Sequence, residues 1–112
     1  MTDITVKEMI ANHRIAFRPD AAEGLDAVIQ YRLTGDEGGD YIITIKDGAC
    51  STAEGLAENP NMTLSADAQD FKDVLLGHAN GMQYFMLGKL KLAGDLNLAM
   101  KLTSMFKMSG QN

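Results

Sequence analysis

The spacing of apolar residues changes period twice along this 112-residue chain. From residues 3 to 13 it is helical. Val6, Met9, Ile10 and His13 share one face, and Thr5 with Glu8 has the spacing of a capping box. Pro19 starts a turn or a single helical turn that ends near Gly24. The period then becomes two. In Leu25 to Thr34, the residues Ala27, Ile29, Tyr31 and Leu33 alternate with Asp26, Gln30 and Arg32, and only Val28 breaks the pattern of a half-buried strand. A loop with three glycines covers Gly35 to Asp40. Tyr41 to Lys46 is a second strand rich in β-branched residues. Asp47-Gly48 signals a two-residue hairpin, with a third strand at Ala49–Glu54. After the turn Asn59-Pro60-Asn61, Met62, Leu64 and Ala66 alternate with Thr63 and Ser65 in a fourth strand.

Beyond Ala66 the period returns to that of a helix. Asp67 caps a helix in which Phe71, Val74 and Leu75 stand at i, i+3 and i+4, and Gly77 ends it. Asn80 caps the next, with Gln83 reaching back. Met82, Phe85 and Met86 form its stripe, and Gly88 closes it. Leu90 and Leu92 alternate with Lys89, Lys91 and Ala93 in a short fifth strand. Asp95 caps a final helix through about Lys107. There Leu96, Leu98, Ala99, Met100, Leu102, Met105 and Phe106 leave only Asn97, Lys101 and Ser104 as a polar stripe. A surface helix needs an apolar arc of little more than 100°. This helix exceeds that arc and must touch something on two sides.

Charge sharpens the picture. The net charge of −5 argues against nucleic acid as a partner. Residues 89–112 run against that balance, with Lys89, Lys91, Lys101 and Lys107 facing Asp95 alone. Five of the eight methionines also lie in this last third, at Met82, Met86, Met100, Met105 and Met108. Methionine packs without insisting on one shape, so it suits surfaces that meet variable apolar partners. The length fits a single domain over residues 1–112. One cysteine, Cys50, permits no internal disulfide and fits a reducing compartment. The polar N-terminus lacks the features of a signal peptide, and no apolar run approaches a membrane span. The expected location is the cytoplasm.

Reactive constellations are missing from the pattern. His13 and His78 have no companion at metal or triad spacing. Cys50 has neither a histidine partner nor a CxxC neighbour. Asp67, Asp70 and Asp73 are explained by capping and solvation. Phosphate loops, nucleophile elbows and dinucleotide fingerprints are lacking too. The expectation is therefore a non-catalytic protein with no metal and no cofactor.

The C-terminal half resembles the sterol carrier protein domain, the type-two sterol-carrier family. The matching residues are Asn61-Met62-Thr63-Leu64-Ser65, then Ala68-Gln69-Asp70-Phe71 leading to Gly77. They continue in the run Phe85-Met86-Leu87-Gly88-Lys89-Leu90-Lys91-Leu92-Ala93-Gly94-Asp95 and in Leu98-Ala99-Met100-Lys101-Leu102. The N-terminal half matches more loosely, through Phe17-Arg18-Pro19, Gly24-Leu25 and the strand, glycine loop, strand and Asp47-Gly48 order. The resemblance implies an α+β fold: a five-stranded, mainly antiparallel sheet covered by helices, with an apolar tunnel between sheet and helices. It also implies binding of fatty acids, fatty acyl-CoA, phospholipids or sterol-like molecules with little selectivity. The chain ends in Ser-Gly-Gln-Asn rather than a peroxisomal address of the Ser-Lys-Leu type, so a stand-alone, prokaryotic-like member is expected.

Stripes of methionine and aromatic residues at helical spacing are ordinarily core. The two-sided last helix and the resemblance together favour a lining role. Three stripes are the candidate ligand-binding residues: Phe71, Val74 and Leu75; Met82, Phe85 and Met86; and Leu98, Met100, Leu102, Met105 and Phe106. Lys89, Lys91 and Lys101 are candidates for contact with an anionic headgroup or a membrane surface. Two other readings use the same residues: a protein-interaction module whose Met-rich groove takes an amphipathic helix, and an accessory domain of a lipid-metabolising enzyme.

Overall fold

A computed structural model describes residues 5–18, 20, 24–76 and 78–98, apart from the side chain of Ala16. The described elements run α1 (Val6–Ala16), β1 (Ala27–Thr34), β2 (Gly39–Lys46), β3 (Ala49–Glu54), β4 (Met62–Asp67), α2 (Ala68–Leu75), α3 (Gly81–Met86) and β5 (Leu90–Gly94). The five strands form one sheet in the order β3-β2-β1-β4-β5. β1 and β4 are parallel, and the other three neighbouring pairs are antiparallel. The result is the α+β architecture, with a mainly antiparallel five-stranded sheet, that the resemblance implied.

Alternation fixes which face of the sheet is apolar. Ile29 lies opposite Ile43 on one side and Met62 on the other, and Tyr31 likewise sits between Tyr41 and Leu64. All six are buried in a single core. Asp47 and Gly48 both have positive φ, 53° and 75°, as the two central residues of a tight type I′ hairpin turn require. This turn locks the register of β2 against β3, so the apolar set cannot slip to the solvent side.

The parallel neighbour was not expected from sequence, and Gln30 shows how it is made. Gln30 belongs to the polar set of β1, yet it is fully buried. Its amide donates to the carbonyls of Tyr31, Tyr41 and Gly55, and its Oε1 accepts from the Ala57 amide at 2.7 Å. The chain leaving β3 thus crosses over the polar face of β1 and is pinned there before entering β4. Asn61 completes the crossover. Its side chain accepts from the Val28 amide at 2.7 Å, and its own amide donates to the Val28 carbonyl.

α1 and α2 cover the apolar face. The capping box at the start of α1 is present in both directions, Thr5 with Glu8. Val6, Met9, Ile10 and His13 are the buried residues of that helix. The helix begins at Val6 and runs to Ala16, three residues later at each end than the expected span. Glu37, in the β1–β2 loop at φ 63°, ties the layer together. One carboxylate oxygen accepts from the Val6 amide at 2.9 Å, and the other meets the buried Lys72 of α2 at 3.1 Å. The Val6 amide, followed by the Lys72 ammonium, holds the Glu37 carboxyl below the usual range.

Candidate functional site

The three expected stripes fare differently. On α2, Phe71 is buried and meets the Tyr31 ring edge to face, with centroids 4.9 Å apart. Val74 and Leu75 are half-buried and pack against the core from its rim. Leu98 is buried as well, in the turn that Asp95 caps by accepting from the amides of Asn97 and Leu98. Met100, Lys101, Leu102, Met105 and Phe106 lie outside the described residues.

The stripe on α3 is of another kind. The helix is properly capped, with the Asn80 side chain accepting from the Gln83 amide at 3.0 Å. It lies beside α2, where Gly81 abuts Val74; a Cβ on Gly81 would stand 3.3 Å from a Val74 methyl. Tyr84 is half-buried and anchors α3 to the core. Yet α3 buries none of its residues. Met82, Phe85 and Met86 are 61%, 40% and 79% exposed, and Leu87 beyond them is 63% exposed. Among the described residues, an apolar cluster facing water on one short helix is an unusual surface feature.

The lysines divide between two sides. Lys89 stands three residues beyond the end of α3, and its ammonium lies 4.6 Å from the Tyr84 ring centroid, within cation–π range. Lys91 is exposed between the core-facing positions Leu90 and Leu92, so it projects from the opposite face of β5. Gly94 ends that strand at φ 90°, where a Cβ would collide with the Asn61 carbonyl oxygen. The Asp95 amide donates to that same carbonyl at 2.8 Å. The entry to the segment after β5 is therefore fixed tightly against β4.

The titrating groups with displaced pKa values lie elsewhere and serve packing. His13 is fully buried beneath α1. Its Nδ1 lies 2.7 Å from the Met9 carbonyl, which can only accept, so Nδ1 carries the proton and Nε2 accepts from the Tyr31 hydroxyl at 3.0 Å. Burial drives the His13 pKa down to about 4 against the opposing pull of the Met9 carbonyl, and burial raises that of Tyr31. Both groups are neutral at pH 7. Burial also raises the Cys50 thiol to about 11, leaving a protonated and unreactive sulfur. Among the described residues, no three histidine, cysteine or acidic side chains gather as a metal site. No helix among them is long and apolar enough to cross a membrane.

Sequence reasoning missed Tyr84 as the anchor of α3 and Leu87 as part of its exposed surface. The Tyr84 signal lies in the same short segment, two residues after Met82 and five before Lys89. Leu87 was quoted in the resemblance but carried no periodic signal of its own.

The fold is a small α+β domain in which α1 and α2 cover one face of a mixed sheet and α3 lies beside β5 with an apolar surface exposed. The chain belongs to the SCP-2 sterol transfer family, whose model matches residues 7–107. It is 31% identical over 106 residues to hydroxysteroid dehydrogenase-like protein 2 of Danio rerio, covering 92% of this chain and 25% of that protein. The chain therefore spans about a quarter of the length of that relative. Its fold is similar to that of palmitated SCP2L2 from Aedes aegypti, with a TM-score of 0.72 at 21% identity over 90% of this chain and 93% of that one. It is also similar to part of the sec-alkylsulfatase Pisa1 from Pseudomonas sp., with a TM-score of 0.79 at 17% identity over 96% of this chain and 17% of that one.

Proposed function

We propose that this domain holds the apolar chain of a lipid against the α2–α3 edge of the sheet and carries it in that form. The observation that carries the reading is α3: a capped, core-anchored helix that presents Met82, Phe85 and Met86 instead of burying them. Val74 and Leu75 border the same edge from α2. Met100, Leu102, Met105 and Phe106 are assigned to the wall on their sequence pattern, together with the apolar tunnel that the resemblance implies. Phe71 and Leu98 form the floor where that wall meets the core. The palmitated relative from Aedes aegypti supports a fatty-acid-like ligand.

Magnitudes favour weak selectivity. Each buried methylene contributes about 0.8 kcal/mol, so a sixteen-carbon chain offers on the order of 12 kcal/mol gross. Association removes roughly 4–15 kcal/mol. At the low end of that cost, about 8 kcal/mol remains, an affinity near micromolar. A single polar contact adds only about 1–3 kcal/mol, so the tail dominates and fatty acids, acyl-CoA, phospholipids and sterol-like molecules compete for one site. Lys89 and Lys101 draw in the anionic end of such ligands, and Lys91, on the opposite face of β5, adds only long-range attraction to an anionic surface. Double substitution by Lys91→Glu and Lys101→Glu slows lipid transfer to anionic vesicles at low salt. An unchanged rate removes the lysines from the account.

The domain is non-catalytic on this reading, acts as one unit over residues 1–112, and works in a reducing, cytoplasmic setting. A second reading, an accessory domain of a lipid-metabolising enzyme, is favoured by the enzyme-like relative in which the matching stretch is a quarter of the protein. The two readings share the site. Titration with a fluorescent fatty acid tests it. Phe85→Trp and Met105→Trp narrow the site and weaken binding, and unchanged affinity in both variants places the ligand elsewhere.

A further inference from the structure

We infer that α3 is also a docking element, one that inserts shallowly into an anionic phospholipid surface. The inference rests on the lipid-binding reading for its purpose, since a carrier must meet a bilayer to load and unload. Its physical basis is separate. Insertion into the interfacial layer requires apolar side chains on backbone whose polar groups are already satisfied. At the end of α3 the backbone amides meet that requirement. The amides of Leu87, Gly88 and Lys89 donate to the carbonyls of Gln83, Phe85 and Tyr84 at 3.0, 3.1 and 2.9 Å. Phe85, Met86 and Leu87 thus stand on a closed turn, and all three are exposed.

Charge selects the occupant. The chain has 15 acidic residues, yet residues 74–94 contain none, while Lys89 lies within that span beside the tip and Lys91 on the opposite face of β5. A carboxylate-free stretch around an apolar tip suits a negatively charged surface and avoids repulsion from it. Lys89, held against Tyr84, sits at the base of the tip, where a headgroup phosphate would lie. A second copy fits less well. A helix about 9 Å long offers much less than the roughly 800 Å² per partner of a standard interface. A two-fold contact through α3 would also bring Lys89 toward its own copy. The outer face of α1, with Lys7, Glu8 and Arg14, mixes both signs and lacks an apolar cluster.

The chain has no tryptophan, so one introduced indole reports alone. Leu87→Trp places it on the tip, and Ile15→Trp, at a position 84% exposed on α1, serves as control. With phosphatidylglycerol/phosphatidylcholine vesicles, emission from position 87 shifts to the blue and is quenched by brominated acyl chains, while position 15 is unaffected. The shift fades between 0.01 and 0.15 M salt, as the screening length falls from about 30 to about 8 Å. Lys89→Gln weakens partitioning about fivefold. For the unsubstituted protein, the same vesicles slow hydrogen exchange over residues 81–89. No shift at position 87, or an equal shift at both positions, overturns the inference. So does a shift without vesicles that grows with protein concentration, or one produced by an amphipathic helical peptide instead. A parallel fatty-acid titration separates the two claims. Saturable binding without vesicle response rejects docking alone, and vesicle response without fatty-acid binding rejects the carrier reading alone.

Discussion

The helix that opens the described chain and the helix at Gly81–Met86 are both capped by side chains, and there the likeness ends. α1 turns Val6, Met9, Ile10 and His13 inward and leaves mainly polar residues outside. α3 turns one half-buried tyrosine inward and leaves two methionines and a phenylalanine in water. Local signals form both helices, but tertiary packing stabilises only the first to any great extent. An apolar side chain that gains nothing from the native core is retained at a cost in solubility. In this fold that cost falls on the segment assigned to lipid.

The difference predicts a steep gradient of mutational effects. Phe71→Ala, which removes a ring wedged against Tyr31, should cost about 3–5 kcal/mol in urea unfolding. Met86→Ala should stay within about 0.5 kcal/mol. Comparable costs would mean that α3 belongs to the core after all.

Acid should also single out the α1 side. The folded His13 pKa, about 4, lies below its ordinary 6.5, so between those values the unfolded chain binds a proton that the folded one refuses. Stability is full above pH 6.5 and declines as the pH falls toward 4, by roughly 3 kcal/mol in all. Glu8, held low by its bond to the Thr5 amide, and Glu37 contribute stability above their unfolded value of 4.5 that is lost below it. The interval from pH 6.5 to 5 therefore isolates the histidine. Urea midpoints of His13→Gln should be flat across that interval while those of the parent fall. Parallel slopes would move the proton uptake to another group.

Gln30→Leu tests the polar side of the sheet. It leaves the Ala57 amide and the Gly55 carbonyl without their partner, at a cost of about 1–3 kcal/mol for a buried group. The smallest effects compare the two caps. Thr5→Ala should lower global stability by about 1 kcal/mol. Asn80→Ala should leave the global midpoint almost unchanged and instead speed hydrogen exchange within α3, because that helix opens locally. A global loss from Asn80→Ala equal to that from Thr5→Ala would erase the distinction.

Much of this contrast was legible in the residue pattern. Period-two runs located the strands, with β3 matching the expected Ala49–Glu54 span, and Thr5, Asp67 and Asn80 cap the helices as their positions implied. What escaped was long-range. The parallel pairing of β1 with β4 depends on where a crossover lands, and its pin, Gln30, looks like any outward polar residue of a strand. Glu37 and Lys72 are 35 residues apart and joined only by the fold. Within the candidate site the stripes were visible but their fates were not. Phe71 and Phe85 occupy similar positions in helical repeats, and only the placement of α2 over β1 and β4, against α3 beside β5, makes one core and the other surface. The division of Lys89 and Lys91 between two sides follows from the alternation of β5, which the sequence did show.

Native mass spectrometry of the protein purified without detergent tests the central claim most directly. The account predicts a one-to-one adduct with the mass of a fatty acid or related lipid, depleted in Phe85→Glu at unchanged fold. A bare parent protein that also takes up no added fatty acid, or an adduct untouched by Phe85→Glu and Met82→Glu together, would contradict it.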